Sequence, residues 1–361
     1  MENITRLSSR VVRVLGQNPG KFTLQGTNTY LVGSESPYTL IDTGEGKDEY
    51  IPLLETAIRS LCPLSPSSPV HVSDIILSHW HHDHTEGLPG ILGLLSRLWK
   101  EQRPNAPFVP PRLHKFPVSS APNSPFTTNK LDELLRNLEK GSFTPSPTGS
   151  ALHNLHDGQE LPVSTNDGDG RGMRIVHTPG HTTDSICILI PVNPKEQKHA
   201  PYALYTSDSV LGEGTAVFED LSTYMSSLKS LVDLPRSIDP KLAFGELYPG
   251  HGPVVPEDKG VDLIETYIKH RMEREHQVVA VLSQPAPDPP EGTGDEATSR
   301  NGRWTIWGIV VSIYAKTYPR NLWLPACHSI GQHLRKLEVE GRVRCTGGEG
   351  VQSQWELVKE N

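Results

Sequence analysis

The sequence predicts an α/β layer fold followed by a small basic module. Two observations point there. Short β-branched strands alternate with amphipathic helices over most of the 361 residues, and a Pro- and Gly-rich stretch then sets off a C-terminal segment of different charge. A chain of this length has room for one large domain, or one large and one small, with a sizeable core. Residues 11–15 form a short apolar strand. The polar turn Gly26-Thr27-Asn28-Thr29 leads into the strand Tyr30-Leu31-Val32, and residues 38–41 form another that ends at Asp42-Thr43-Gly44. Residues 50–60 have helical spacing, with Leu53, Leu54, Ala57 and Ile58 on one side. A β-branched strand over 72–77 delivers the chain to Ser78-His79, and 90–99 reads as a helix.

Residues 101–171 differ. They are rich in Pro, Ser, Asn and Gly, with one helix over 129–139, and are expected to form a surface insertion, in part disordered. Strands return at 174–177, 185–190 and 203–206, the last running into Ser207-Asp208. A helix over 224–231 and a strand over 245–248 follow, the strand leading to Pro249-Gly250-His251. Residues 262–282 form a long helix in which Ile264, Ile268 and Met272 repeat every four residues. It breaks at Gln284-Pro285. Thus 1–283 is expected to be the large domain, 284–302 a linker and 303–361 a small C-terminal domain with helix, turn, helix and hairpin.

A formal net charge of −8 gives no support for general nucleic-acid binding, although a local basic patch is compatible with it. Cys62, Cys187, Cys327 and Cys345 are far apart with no CxxC pair, which argues against a disulfide framework or a zinc ribbon and for reduced intracellular thiols. No apolar run approaches the ~20 residues of a membrane span. The first 13 residues carry three arginines but no apolar stretch, so no secretory signal is expected; the compartment is expected to be cytoplasmic or mitochondrial.

The chemistry concentrates in Ser78-His79-Trp80-His81-His82-Asp83-His84. Imidazole and carboxylate suit a borderline divalent ion such as zinc. His79 and His81 alternate, as two ligands leaving a strand end on one side do. Asp83 and His84 follow in a turn that directs them to a second ion, because one four-coordinate metal would waste donors. The remaining ligands are expected at other strand ends: His181 in Thr178-Pro179-Gly180-His181, Asp208, and His251 in Pro249-Gly250-His251-Gly252. His82 interrupts the pattern and is expected to point away. Two ions make hydroxide available near neutral pH for attack on a carbonyl carbon or phosphorus, with Asp83 orienting it or carrying its proton. Asp42 is expected to order the site by hydrogen bonds; the competing reading is a plain turn aspartate.

These residues resemble the His-x-His-x-Asp-His signature of the metallo-β-lactamase superfamily. Longer stretches, Thr23-Leu24-Gln25-Gly26-Thr27-Asn28-Thr29 and Leu211-Gly212-Glu213-Gly214 among them, resemble the beta-lactamase-like protein 2 family within it. The resemblance implies an αββα sandwich with a small C-terminal winged-helix-like domain and two Zn2+ per chain. It assigns one zinc to His79, His81 and His181, the other to Asp83, His84 and His251, with Asp208 bridging. It implies an endoribonuclease acting on single-stranded RNA. Fungal relatives sharing the Gln-Gly-Thr-Asn-Thr segment imply the alternative, a thioesterase releasing a polyketide from an acyl carrier protein of a polyketide synthase. The segment 303–345 holds seven Lys or Arg against Glu338 and Glu340. Arg335, Lys336, Arg342 and Arg344 are the candidate substrate contacts, to RNA phosphates or to an acidic carrier protein. The competing reading has this domain packing on the core and shaping the cleft, with Trp304, Trp307 and Trp323 as core residues.

Overall fold

Strand alternation builds the first sheet. In the strands β2 (Val11–Leu15), β3 (Asn28–Val32), β4 (Tyr38–Ile41) and β5 (Val72–Leu77), Val12, Val14, Leu31, Leu40, Ile75 and Leu77 point to one face, and Val11, Tyr30, Val32, Ile41 and Ile76 to the other. Both faces are apolar, so both are covered. The computed structural model describes residues 1–65, 68–118, 130–165, 168–196, 200–234, 242–288 and 296–358. With β1 (Ile4–Ser8), β6 (Arg112–Lys115) and β7 (Leu152–Asn154), these strands form a seven-stranded sheet in sequence order, antiparallel from β1 to β4 and parallel from β4 to β7.

On one face of that sheet lie the helices α1 (Tyr50–Leu61) and α3 (Leu88–Gln102), joined to it through Tyr50, Leu54, Ile58, Leu88, Leu95 and Leu98. Between the two lies the short helix α2 (His82–Thr85). Against the other face packs a five-stranded sheet in the order β12-β11-β10-β9-β8, made of β8 (Glu160–Leu161), β9 (Met173–His177), β10 (Ile186–Pro191), β11 (Tyr202–Ser207) and β12 (Phe244–Pro249). Ile175, Ile188, Ile190 and Tyr205 meet Tyr30, Ile41 and Ile76 across the seam. The second sheet's outer residues Cys187, Leu189, Leu204 and Leu247 are buried as well, and α5 (Leu221–Asp233) supplies buried Tyr224, Leu228 and Leu231. This is the two-sheet sandwich with helices outside that the resemblance implies.

Three expectations are corrected. The first strand begins at Ile4, not Val11. The stretch 101–171 is not merely a surface insertion: β6 and β7 extend the first sheet in parallel, β8 edges the second, and Leu113, His114 and Lys115 are buried. Its expected helix is α4 (Leu131–Asn137); residue 129 lies outside the described residues. Finally, the chain divides into two compact units, Met1–Glu219 with Thr223–Glu265, and Asp220–Ser222 with Thr266–Asn361. The division falls inside the long helix α6 (Gly260–Leu282) rather than after residue 283, because Val278, Val281 and Leu282 belong to the second unit's core.

In that second unit α7 (Ile306–Tyr314) and α8 (Trp323–Val339) pack with a sheet ordered β13-β14-β16-β15, from β13 (Ser299–Arg300), β14 (Arg303–Thr305), β15 (Val343–Gly347) and β16 (Gln354–Leu357). Thr305 caps α7, its Oγ1 accepting from Gly308 N at 2.9 Å. Trp304, Trp307, Leu334 and Leu337 are core residues, and Trp323 packs on them. β13 falls inside the expected linker 284–302, of which 289–295 lie outside the described residues. No helix among the described residues is long and apolar enough to cross a membrane.

The turn after β9 depends on a glycine. Gly180 has φ +131°, and a Cβ there would lie 2.3 Å from Tyr224 Cα. We expect Gly180→Ala to destabilise the protein by about 1–3 kcal/mol, read as a lower denaturant midpoint at unchanged slope.

Candidate metal centre

Parallel pairing gathers strand ends at one edge of the sandwich, the usual place for a site in parallel sheets. β4 and β5 run together, so Asp42 and Ser78 leave them side by side, and Asp42 N donates to Ile76 O at 2.8 Å. In the second sheet β11 and β12 pair with Ser207 opposite Pro249, which brings Asp208 beside His251. Gly250 permits this approach: a Cβ on it would sit 2.4 Å from Asp208 Oδ1. Asp42 and Ser207 hold positive φ of 59° and 49°, strained values for non-glycine residues that mark both strand exits.

All seven expected donors meet there, in two groups: His79, His81, His181 and Asp208, and Asp83, His84 and His251. In the first, His79 Nε2, His81 Nδ1 and His181 Nε2 lie 3.0 to 3.2 Å apart. In the second, Asp83 Oδ2, His84 Nε2 and His251 Nε2 lie 3.2 to 3.3 Å apart. Asp208 Oδ2 stands between them, 3.6 Å from His181 Nε2 and 3.3 Å from His251 Nε2. Three imidazole nitrogens facing inward cannot all be satisfied by one another's protons. Edges near 3.3 Å are those of a tetrahedron of donors ~2.0–2.1 Å from a zinc-sized ion. Asp208 Oδ1 is also buried with no hydrogen-bond donor among the described residues, His84 Nε2 lying 3.4 Å away. The donor set therefore fits divalent cations.

The electrostatics agree. Burial pulls the His84 imidazole down, but Asp83, Asp42 and Asp208 outweigh it and hold the ring well above its usual value; His251, where Asp208 outweighs burial, rises to about 9. The carboxylates thus call for positive charge. His79, by contrast, is held well below its usual value by burial and by its His84 and His81 neighbours, so it presents a lone pair.

The nitrogen turned away from the centre is held by protein in most of these rings, the arrangement that fixes a ligand's tautomer. His84 Nδ1 donates to Asp42 Oδ2 at 2.6 Å, His181 Nδ1 to Val217 O at 2.8 Å, and His79 Nδ1 lies 3.0 Å from Ser78 Oγ. Asp42 also accepts from Ser78 N at 2.7 Å, from Ser78 Oγ at 2.8 Å and from the Tyr205 hydroxyl. It orders the site, as the sequence suggests. His82 is exposed and takes no part.

Several supporting residues were not anticipated. Thr27 Oγ1 donates to Asp83 Oδ2 at 3.3 Å, and Asn18 Oδ1 accepts from Thr27 N at 2.8 Å. Asn28 Nδ2 donates to Pro249 O and Gly252 O at 3.0 and 2.9 Å, clamping the His251 turn. The signal available was a run of polar residues leading straight into a strand; its full burial is visible only in the fold. The candidate substrate contacts lie in the second unit. There Lys336 bonds Glu275 and Glu340, Arg342 bonds Glu275, and Arg344 bonds Glu356. Arg335 is exposed and has no ion pair among the described residues.

The family model described as Metallo-beta-lactamase superfamily matches residues 22–194, and Beta-lactamase associated winged helix domain matches 305–355. A Beta-lactamase-like protein 2 homolog from Drosophila melanogaster is 35% identical over 346 residues, 94% of this chain and 92% of that one. The chain belongs to the metallo-β-lactamase superfamily. A second Beta-lactamase-like protein 2 homolog, from Caenorhabditis elegans, is 34% identical over 95% of this chain and 89% of its own length. Atrochrysone carboxyl ACP thioesterase nsrC from Aspergillus novofumigatus is 31% identical over 95% and 83%. The fold matches that of a solved metallo-beta-lactamase family protein from Thermus thermophilus, TM-score 0.59 at 18% identity, covering 98% of this chain and 100% of that one. Membership in this superfamily implies a hydrolase, and residues 305–355 of the second unit are a winged-helix domain.

Removing Asp42 would strip His84, Ser78 and Tyr205 of a shared acceptor. We expect Asp42→Ala to lower metal affinity by about 10–100-fold, measured by chelator competition on the purified protein.

Proposed function

We propose that this chain is a two-zinc hydrolase and that its substrate is single-stranded RNA, which it cleaves internally. The observation that supports the hydrolase reading is the pair of donor groups, His79, His81 and His181 beside Asp83, His84 and His251, joined by Asp208 at tetrahedral spacing. Two bound zinc ions supply hydroxide near neutral pH and charge that favours a developing oxyanion. The chain's own groups do the rest. His79 and His84 are held in place by their outward nitrogens, through Ser78 Oγ and Asp42 Oδ2. Thr27 fixes the Asp83 carboxylate through Oδ2. In this reading Asp83 takes the proton that water loses in becoming hydroxide and returns it to the leaving ribose oxygen, so attack on phosphorus and departure of that oxygen balance without another acid.

RNA is favoured over a thioester because identity to the two Beta-lactamase-like protein 2 homologs, 35% and 34%, exceeds the 31% to the thioesterase, and the resemblance implies RNA cleavage for the former family. The thioesterase reading keeps one specific support, the activity for which that 31% relative, matched over 95% of this chain, is named. Arg335, alone of the four candidate contacts in having no ion pair among the described residues, is the phosphate contact this reading favours.

Metal-loaded protein offered a fluorescent single-stranded RNA and an acyl thioester side by side separates the two. RNA cleavage is expected, with Asp83→Ala and His181→Ala each reducing it by about 10²–10⁴-fold or more while circular dichroism stays native. Thioester turnover alone, equally dependent on Asp83, would replace the RNA reading and leave the hydrolase intact. Arg335→Ala is expected to weaken RNA binding and to lower the salt-dependence slope by about one; an unchanged slope would remove the winged-helix domain from substrate contact.

A further inference from the structure

A buried ion pair stands next to the metal centre without touching it. Lys115 closes β6 and is 2% exposed, Asp184 lies in the turn before β10 and is 0% exposed, and Lys115 Nζ donates to Asp184 Oδ2. The two come from different sheets. Lys115 is opposite Leu77 in the parallel β5–β6 pairing, two residues short of His79's position along the neighbouring strand. Asp184 belongs to the turn that carries His181. In that turn Gly180 N donates to Thr182 O at 2.9 Å, Thr178 N to Ser185 O at 2.9 Å, and Thr182 N to Ser185 Oγ at 3.1 Å. Thr182 Oγ1 donates to Asp184 Oδ1 at 2.6 Å.

Asp184 therefore divides its two oxygens, one to a lysine of the first sheet and one to the residue after His181. A buried ion pair is a weak source of net stability, because desolvation of both charges offsets their attraction. What such a pair does supply is a fixed distance. Here it spans the seam between the sheet that carries His79 and His81 and the sheet that carries His181. The other donor group has different supports: Thr27 on Asp83, Asn28 on the His251 turn and Asp42 on His84.

We propose that the Lys115–Asp184 pair, acting through Thr182, is a strut that positions His181 against His79 and His81, and so sets the metal affinity of that position and not of its neighbour. Lys115 and Asp184 are positioning residues in this scheme, with no role toward substrate. The proposal rests on the metal reading of the site.

The test is titration of metal-free full-length protein with cobalt(II) and zinc against a chromophoric chelator, for the parent, Lys115→Met and Thr182→Val. Thr182→Val leaves the ion pair in place and removes the Thr182 Oγ1 bonds to Asp184 Oδ1 and Ser185 Oγ, so it carries the test if Lys115→Met fails to fold. The parent should bind two ions. Both variants should keep one at parent affinity and hold the other about 10–100-fold more weakly, with a changed cobalt absorption spectrum for the weakened ion. Equal weakening of both ions would overturn the proposal. So would a lower melting temperature of the metal-free Lys115→Met protein with both affinities intact, the mark of a structural tie only. A parent that binds no metal would instead overturn the metal reading beneath it.

Discussion

The Asp42 carboxylate is the interaction on which the rest of the centre depends. It sits fully buried at a strand exit with a strained backbone and accepts from four groups: the His84 ring, the Ser78 amide and hydroxyl, and the Tyr205 hydroxyl. Three belong to the segment after β5 and one to β11 of the opposite sheet. A single anion thereby ties the two sheets at the height of the ligands. A carboxylate this deep is stable only because every one of those donors is in place. Its neighbours inherit their geometry from it: Ser78 passes the constraint to His79, and Ser207 Oγ donates to Ser78 Oγ at 2.8 Å beside Asp208.

Much of this was legible in the sequence, and the reasons differ by element. β2, β4 and β5 were read to the residue because strands buried on both faces are short, apolar and β-branched. The seven donors were legible because His and Asp at that density after a strand have no other economical explanation, and because His181, Asp208 and His251 also follow strands.

What escaped was whatever depended on distant partners. β6 has the sequence Arg-Leu-His-Lys, which reads as surface, yet His114 Nε2 lies 2.6 Å from Asp74 and Lys115 meets Asp184. Those partners lie 40 and 69 residues away, and no local pattern announces them. The charge count of the C-terminal segment was incomplete in the same manner. Glu275, 61 residues before Lys336, bonds both Lys336 and Arg342, so a count of charges along the segment alone overstates its positive field. Thr27 and Asn28 were noticed as a motif, but their work on Asp83 and on the His251 turn is a property of the fold.

The close approach of inward-facing nitrogens, His79, His81 and His181 within 3.2 Å of one another, has a bearing on the life of this protein in a cell. Lone pairs held that close repel in the folded chain and part freely in the unfolded one, so folding and cation supply are thermodynamically linked. Each tenfold excess of free ion over its dissociation constant shifts the balance toward the folded chain by about 1.4 kcal/mol, a sizeable share of the typical margin of about 5–15 kcal/mol. Ion scarcity would therefore act first on the amount of protein that escapes proteases and only then on the turnover of each molecule. Metal supply would thus bear on how much folded hydrolase persists as well as on how fast each molecule works.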